Sequence, residues 1–250
     1  MNKNIFLFDV DGTLVESGEK ILYENANILK KIKENPNNEI GIVGGGDINK
    51  IMYQMDNQIF FDHYFSECGC VYHTLGDNNN LVEEYKKNIR EHTLYSKINI
   101  LIKKSLQFLS RVNYTITGNF IDLRCGIIYI SLIGMSATNE EREYFKNIDK
   151  KEKIREQLLK ILINESIQLN IQDEVSILEG GSVGVSIYPV EYDKIQILDT
   201  IKKENYNNIF YFGDKYLPSG NDYKLLNHQY INGYKINKKE ETFDILKQFL

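Results

Sequence analysis

Asn4-Ile5-Phe6-Leu7-Phe8-Asp9-Val10-Asp11-Gly12-Thr13 is the stretch from which the fold is read. Its first half, Asn4–Phe8, is a short apolar run that stops at a cluster of polar residues. That pattern predicts a strand buried on both faces whose C-terminal end lies at a polar rim. A helix over 20–33 follows, with Ile21, Ile28, Leu29 and Ile32 on one face. Asn35-Pro36-Asn37-Asn38 marks a turn. A second apolar strand over 39–43 then runs into Gly44-Gly45-Gly46-Asp47 and a helix near Ile48–Met55. Strand, helix, strand, glycine-rich turn and helix make the pattern of a parallel α/β sheet.

Around Gly76–Asn80 the polarity rises and the pattern changes. Helices are expected over 95–112 and 150–164, with strands over 119–124, 127–133, 175–178 and 183–188. Strands grouped beside helices indicate a separate α+β module. From residue 194 the first style returns: a helix over 195–203, a buried strand over 208–212, then Gly213-Asp214. The expected organisation is an α/β, Rossmann-like core in two segments, 1–82 and 189–250. A cap over 83–188 is inserted between them.

A chain of 250 residues, 42 % of them apolar, suffices for a core carrying such an insertion. A formal net charge of -5 argues against nucleic acid or an anionic membrane as the main partner. No stretch reaches the roughly 18 to 20 apolar residues that a membrane span requires. The opening apolar run is cut by Asp9, so no signal peptide is expected, and the expected location is cytoplasmic. Cys68, Cys70 and Cys125 have no metal-ligand spacing and read as free thiols, with Cys68-Gly69-Cys70 suited to a turn.

In open parallel sheets ligands bind beyond the carboxyl ends of the strands. Three expected strands end in acidic or glycine-rich turns there: Asp9-Val10-Asp11-Gly12-Thr13, Gly44-Gly45-Gly46-Asp47 and Gly213-Asp214, the last continuing to Asn221-Asp222. Carboxylates converging on one rim need a cation, and oxygen-only ligands indicate magnesium rather than zinc. Asp9 and Asp11 alternate at a strand end, so both can face one substrate. One can attack phosphorus while the other handles a proton. Gly12 permits the close turn, and Thr13 is expected to bond loop backbone.

At these residues the chain resembles the haloacid dehalogenase superfamily and, more narrowly, the eukaryotic phosphomannomutases. Phe8-Asp9-Val10-Asp11-Gly12-Thr13-Leu14 and Phe212-Gly213-Asp214-Lys215, with Pro218 and Gly220-Asn221-Asp222, fit that family's core motifs. Phe120-Ile121-Asp122-Leu123-Arg124, Ile133-Gly134, Glu140-Glu141-Arg142, Asp149-Lys150-Lys151-Glu152 and Tyr192-Asp193-Lys194 fit its cap and motifs near the cap's exit. The resemblance implies Asp9 as nucleophile, Asp11 as general acid and base, and Lys194 as the neutralising cation. Asp9, Asp11, Asp214 and Asp222 form the implied magnesium set, with Asp11 contributing a backbone oxygen and Asn221 standing beside metal and substrate. Arg124 and Arg142 would hold the non-reacting phosphate, for which a planar guanidinium is suited. Ser186 would face the sugar.

The resemblance further implies a phosphomannomutase that interconverts mannose 6-phosphate and mannose 1-phosphate. Hexose 1,6-bisphosphate would be its activator, and it would be a homodimer paired through the cap that supplies GDP-mannose for glycosylation. The chain departs from the family pattern at several contacts. Gly18 and Met135 stand where the family has arginines, and Gly46 where it has a serine. Gly184 and Ser186 replace a serine and an aspartate, and His228 replaces an acidic residue of a peripheral cation site. These losses thin the sugar-phosphate contacts and leave two alternatives open: a magnesium-dependent sugar-phosphate phosphatase, or a catalytically impaired mutase homologue.

Overall fold

The computed structural model describes residues 3–202, 205–218 and 220–250. They form two compact units, one ending at Lys87 and resuming at Tyr192, the other Asn88–Glu191. In chain order the first unit begins with β1 (Asn4–Phe8), α1 (Tyr23–Glu34), β2 (Asn38–Val43) and α2 (Ile48–Met55). It continues with β3 (His63–Ser66), β4 (Val71–Leu75) and β5 (Leu81–Lys86). The cap holds α3 (Tyr95–Leu109), β6 (Ile121–Leu123), β7 (Ile128–Ser131), α4 (Asn139–Glu152), α5 (Ile154–Gln168), β8 (Val175–Gly180) and β9 (Gly184–Pro189). The core then resumes with β10 (Asn208–Gly213), α6 (Tyr223–Leu226), β11 (Asn232–Lys235) and α7 (Lys239–Leu246).

The core sheet has the order β11-β10-β1-β2-β3-β4-β5. Its strands from β11 to β3 are parallel, and β4 and β5 extend it antiparallel. Strand β1 lies between β10 and β2, so its two faces feed two apolar layers. Phe6 and Phe8 pack with Ala26, Leu29 and Ile32 of α1 and with Phe243 and Leu246 of α7. Ile5 and Leu7 pack on the other side with Ile197, Ile201 and Leu225. Each such buried side chain contributes roughly 1.5–3 kcal/mol of transfer free energy. Helices on both faces of a parallel-rich sheet give the α/β core that the sequence calls for.

The first core segment continues through β5 to Lys87, past residue 82, because β5 is hydrogen-bonded to β4. The cap likewise runs to Glu191 rather than 188. In the cap, β6-β7-β9-β8 is an antiparallel sheet, and α5 packs on β8 and β9. The helix expected over 150–164 is two helices, α4 and α5, which meet at Lys153 with φ 56°. Asp149 secures the break by accepting from Arg155 N at 2.8 Å and Nε at 2.7 Å. The helix expected over 195–203 is a 3₁₀ stretch, Lys194–Asp199, and Lys203 lies outside the described residues. Lys194 and Ile197 are both fully buried there, and three-residue periodicity places i and i+3 on one side. No helix among the described residues is long and apolar enough to cross a membrane.

Candidate active site

The site grows from the end of β1. Asp9 N donates to Phe212 O at 2.9 Å, which pins the residue beside β10. Val10 turns into the core, and the chain reverses through Gly12 N to Val15 O at 2.7 Å. Gly12 has φ +91°, and a Cβ there would fall 2.6 Å from Asp214 Oδ2. Only glycine fits this turn without displacing a carboxylate of the rim. Thr13 is fully buried, and its carbonyl accepts from Thr242 at 2.8 Å. Its hydroxyl has no hydrogen-bond partner, contrary to the loop-bonding role expected for it.

Lys194 lies at the centre, fully buried, with its ammonium on Asp9 Oδ1, on Asp222 Oδ1 at 2.7 Å and near Tyr211 Oη at 3.3 Å. Tyr211 donates its own hydroxyl to Asp222 Oδ1 at 2.5 Å, and Lys215 N donates to Asp222 Oδ2 at 2.9 Å. Asp214 pairs with Lys215 through Oδ2, while its buried Oδ1 has no partner. Burial works against the charge on Lys194, but Asp222 and Asp9 outweigh it and hold the ammonium well above the ordinary lysine value. Burial, joined by the charges of Asp222 and Asp214 and opposed by Lys194, pushes Asp9 up to about 7. Burial also raises Asp214, against the pull of Lys215.

Oxygens of Asp9, Asp214 and Asp222 lie within 4.8 Å of one another. Lys194 and Lys215 supply two positive charges against three carboxylates, and the unpartnered Asp214 Oδ1 is a buried acceptor needing a cation or donor. This oxygen-only set fits a hard divalent ion such as magnesium.

Asp11 is held apart from that cluster by α2. Lys50 Nζ meets its Oδ2, and Gln54 Nε2 donates to its Oδ1 at 2.7 Å. Helix α2 is started by Asp47, whose carboxylate accepts from Lys50 N at 2.8 Å. Lys50 and Gln54, four residues apart on α2, therefore face the β1 turn together. Neither they nor Tyr211 belong to the motifs read from the sequence. The signals were the i,i+4 spacing behind the glycine-rich turn and one tyrosine in an otherwise apolar strand. Asn221 lies near the same loop: a Cβ on Gly45 would be 3.9 Å from its Nδ2. At Gly18 nothing lies within 4 Å of where a Cβ would sit. At Gly46 a Cβ would press on the Lys50 stem at 3.0 Å.

The other expected binding residues belong to the cap. Arg124 Nε donates to Asp122 Oδ2 at 2.7 Å, and the guanidinium stands over the Tyr129 ring at 5.6 Å. Arg142, in the first turns of α4, donates to Ala137 O at 3.1 Å and Met135 O at 3.0 Å. Ser186 on β9 is the cross-strand partner of Tyr129 on β7. His228 accepts from Tyr230 N at 3.4 Å, in an exposed turn.

A family model described as eukaryotic phosphomannomutase matches residues 25–250. A phosphomannomutase of Encephalitozoon cuniculi is 33 % identical over 254 residues, covering 99 % of this chain and 94 % of that protein. Phosphomannomutase 1 of Homo sapiens is 33 % identical over 241 residues, covering 94 % of this chain and 88 % of its own length. Among solved structures, the trehalose-6-phosphate phosphatase C-terminal domain of C. albicans superposes with TM-score 0.64 at 15 % identity, covering 100 % of this chain and 94 % of that one. The IMP-nucleotidase of Plasmodium falciparum gives TM-score 0.69 at 16 % identity, with 98 % of this chain and 62 % of that one covered. At such identities the two structures establish a shared fold.

Proposed function

The chain belongs to the eukaryotic phosphomannomutase family, and from that membership we propose that it interconverts mannose 6-phosphate and mannose 1-phosphate by way of an aspartyl phosphate. The observation that supports this reading best is the buried Asp9–Lys194–Asp222 cluster at the ends of β1 and β10, with Asp214 beside it.

In this reading Asp9 attacks the phosphoryl group of a hexose 1,6-bisphosphate, and the P–O bond to the departing sugar breaks. Asp11 protonates the leaving sugar oxygen. That monophosphate leaves, and an incoming mannose 1-phosphate presents its free 6-hydroxyl. Asp11 takes that proton, and the hydroxyl oxygen attacks the phosphoryl group on Asp9. The bisphosphate so formed turns round to give its 1-phosphate back to Asp9 and depart as mannose 6-phosphate. Lys194 holds Asp9 in place and offsets the charge of the transferring group. Gln54 and Lys50 hold the Asp11 carboxylate on the α2 side. Asp9, Asp214 and Asp222, with the main chain of Asp11, would hold magnesium, which when bound offsets the repulsion between the anionic nucleophile and the phosphate. Arg124 and Arg142 serve the phosphate that is not transferred. Exposed Leu106 on α3 and Ile163 and Ile167 on α5 support a homodimer formed through the cap. A cytoplasmic enzyme feeding GDP-mannose synthesis fits the same reading.

Phosphorus NMR of the protein with magnesium, mannose 1-phosphate and a trace of hexose 1,6-bisphosphate tests this function. Growth of mannose 6-phosphate with little inorganic phosphate is expected. Release of inorganic phosphate alone would replace the mutase with a sugar-phosphate phosphatase, the second reading. The missing arginines at Gly18 and Met135 favour that alternative, as does the tie of Arg142 to backbone carbonyls.

A further inference from the structure

Alternation along the cap strands divides their side chains between two faces. Ile128 and Ile130 of β7, with Val185 and Ile187 of β9, are fully buried on one. The other presents Asp122, Tyr129, Ser186 and Leu178 as one cross-strand row. Tyr129 stands at the middle of this half-exposed row, over a floor without side chains. A Cβ on Gly184 would collide with Ile130 O and fall 2.5 Å from the Tyr129 Cζ and 2.6 Å from its hydroxyl. On Gly180 a Cβ would lie 3.0 Å from Cε2, and on Gly181 3.4 Å from the hydroxyl. A side chain at 184 would meet the Ile130 carbonyl as well as this ring, so the serine that the family pattern places there does not fit this arrangement.

The hydroxyl itself makes no hydrogen bond among the described residues, and Gly181 and Gly184 lie beneath it without side chains to offer one. Around it the charges are basic: Arg142, Arg124 and Arg155 act on it, with Asp122 opposed. Arg155 is already matched by Asp149 and Glu179. Arg142 is fixed through Nε and Nη2, which leaves Nη1 uncommitted. A neutral O–H donor among guanidiniums, with no acceptor of its own, suits an anion with several oxygens.

We propose that Tyr129 is a phosphate-binding residue of the cap, its hydroxyl donating to the non-transferred phosphate of the sugar substrate alongside Arg124 and Arg142. This rests on reading the cap as the sugar-phosphate site. It assigns to β7 a contact that the lost side chains at 135, 184 and 186 no longer supply. Because the donor is uncharged, it adds a directional hydrogen bond without adding to the positive charge of the site.

The test is calorimetric titration of the magnesium-free protein with mannose 1-phosphate, comparing wild type, Tyr129→Phe and Tyr129→Ala. Removing a hydrogen bond to a charged oxygen should weaken affinity about tenfold in Tyr129→Phe, although the ring and its packing on Gly184 remain. In turnover the same variant should raise KM about tenfold and change kcat far less, as for an interaction made equally in ground and transition states. Tyr129→Phe binding as wild type overturns the proposal, including where Tyr129→Ala alone fails, because the ring would then merely support Arg124. If wild type binds mannose 1-phosphate but only hydrolyses it, the mutase reading fails while the comparison of variants still decides on Tyr129. Absence of wild-type binding removes both.

Discussion

Lys194 answers two buried carboxylates and one phenol, so removing its charge acts on all of them. Lys194→Met would leave Asp9 and Asp222 facing each other without a cation. The expected result is loss of measurable turnover and destabilisation of about 3–5 kcal/mol, read by urea unfolding. Gln54→Leu is a milder probe, because it removes one hydrogen bond to Asp11 and nothing from the metal cluster. It should lower kcat about tenfold with KM nearly unchanged, and retention of full kcat would show that Lys50 alone suffices to hold the acid. Much of this site was legible in the sequence, because Asp9, Asp11, Asp214 and Asp222 sit in turns that follow apolar runs. Tyr211, Lys50 and Gln54 were not, since each occupies a position that reads as ordinary strand or helix. Their role arises only when strands 200 residues apart in sequence, or a helix and a turn, are brought together. The unpartnered Thr13 hydroxyl marks the opposite error, a motif residue whose expected bond is not made.

Between β2 and β3 a polar cluster forms around Glu39, which accepts from Lys3 at 2.5 Å, from Tyr206 at 2.5 Å and pairs with His63 at 3.1 Å. The His63 hydrogen bond, against the cost of burial and with help from Lys3 and Tyr206, holds the Glu39 carboxyl well below its ordinary value of 4.5. A lowered folded-state value means stability that is present above about pH 4.5 and lost as pH falls below it. Glu39→Gln should therefore be less stable than wild type at pH 7, and the gap should narrow at pH 3, by urea midpoint. The α4–α5 junction gives a second test. Lys153 holds φ 56°, so Lys153→Gly should raise stability by about 1 kcal/mol, seen as a higher Tm. Elements with clean periodicity, β1 and α2, were placed from sequence to the residue. The α4–α5 pair was not, because the break lies at a lysine rather than at glycine or proline. Thr138 with Glu141 forms a capping box that announces α4. Strands β3, β4 and β5 escaped because they mix histidine, tyrosine and charge in short runs.

At the scale of the molecule, the carboxylates and Lys194 all belong to one unit, whereas Arg124, Arg142 and Tyr129 belong to the other. Lys87 Nζ stands 5.2 Å from the Tyr192 ring, so the points where the chain leaves and rejoins the core are neighbours. Replacing 88–191 by a short glycine-serine linker should leave a core with a cooperative thermal transition. It should cleave a small ester such as p-nitrophenyl phosphate yet fail to convert mannose 1-phosphate. The two-unit organisation was legible because the patterning changes style twice, while its borders shifted by a few residues because β5 hides in a polar stretch. The pairing of residues 4–8 with 208–212 also has a bearing on biosynthesis. The cap is one contiguous run and can fold as soon as it has left the ribosome, whereas β1 waits for a neighbour about 200 residues downstream. During that wait an apolar strand destined for burial on both faces has an unpaired edge, the feature that aggregation exploits. Crowding of nascent chains, more than any weakness of the finished fold, is then what should limit how much of this protein a cell can make at once.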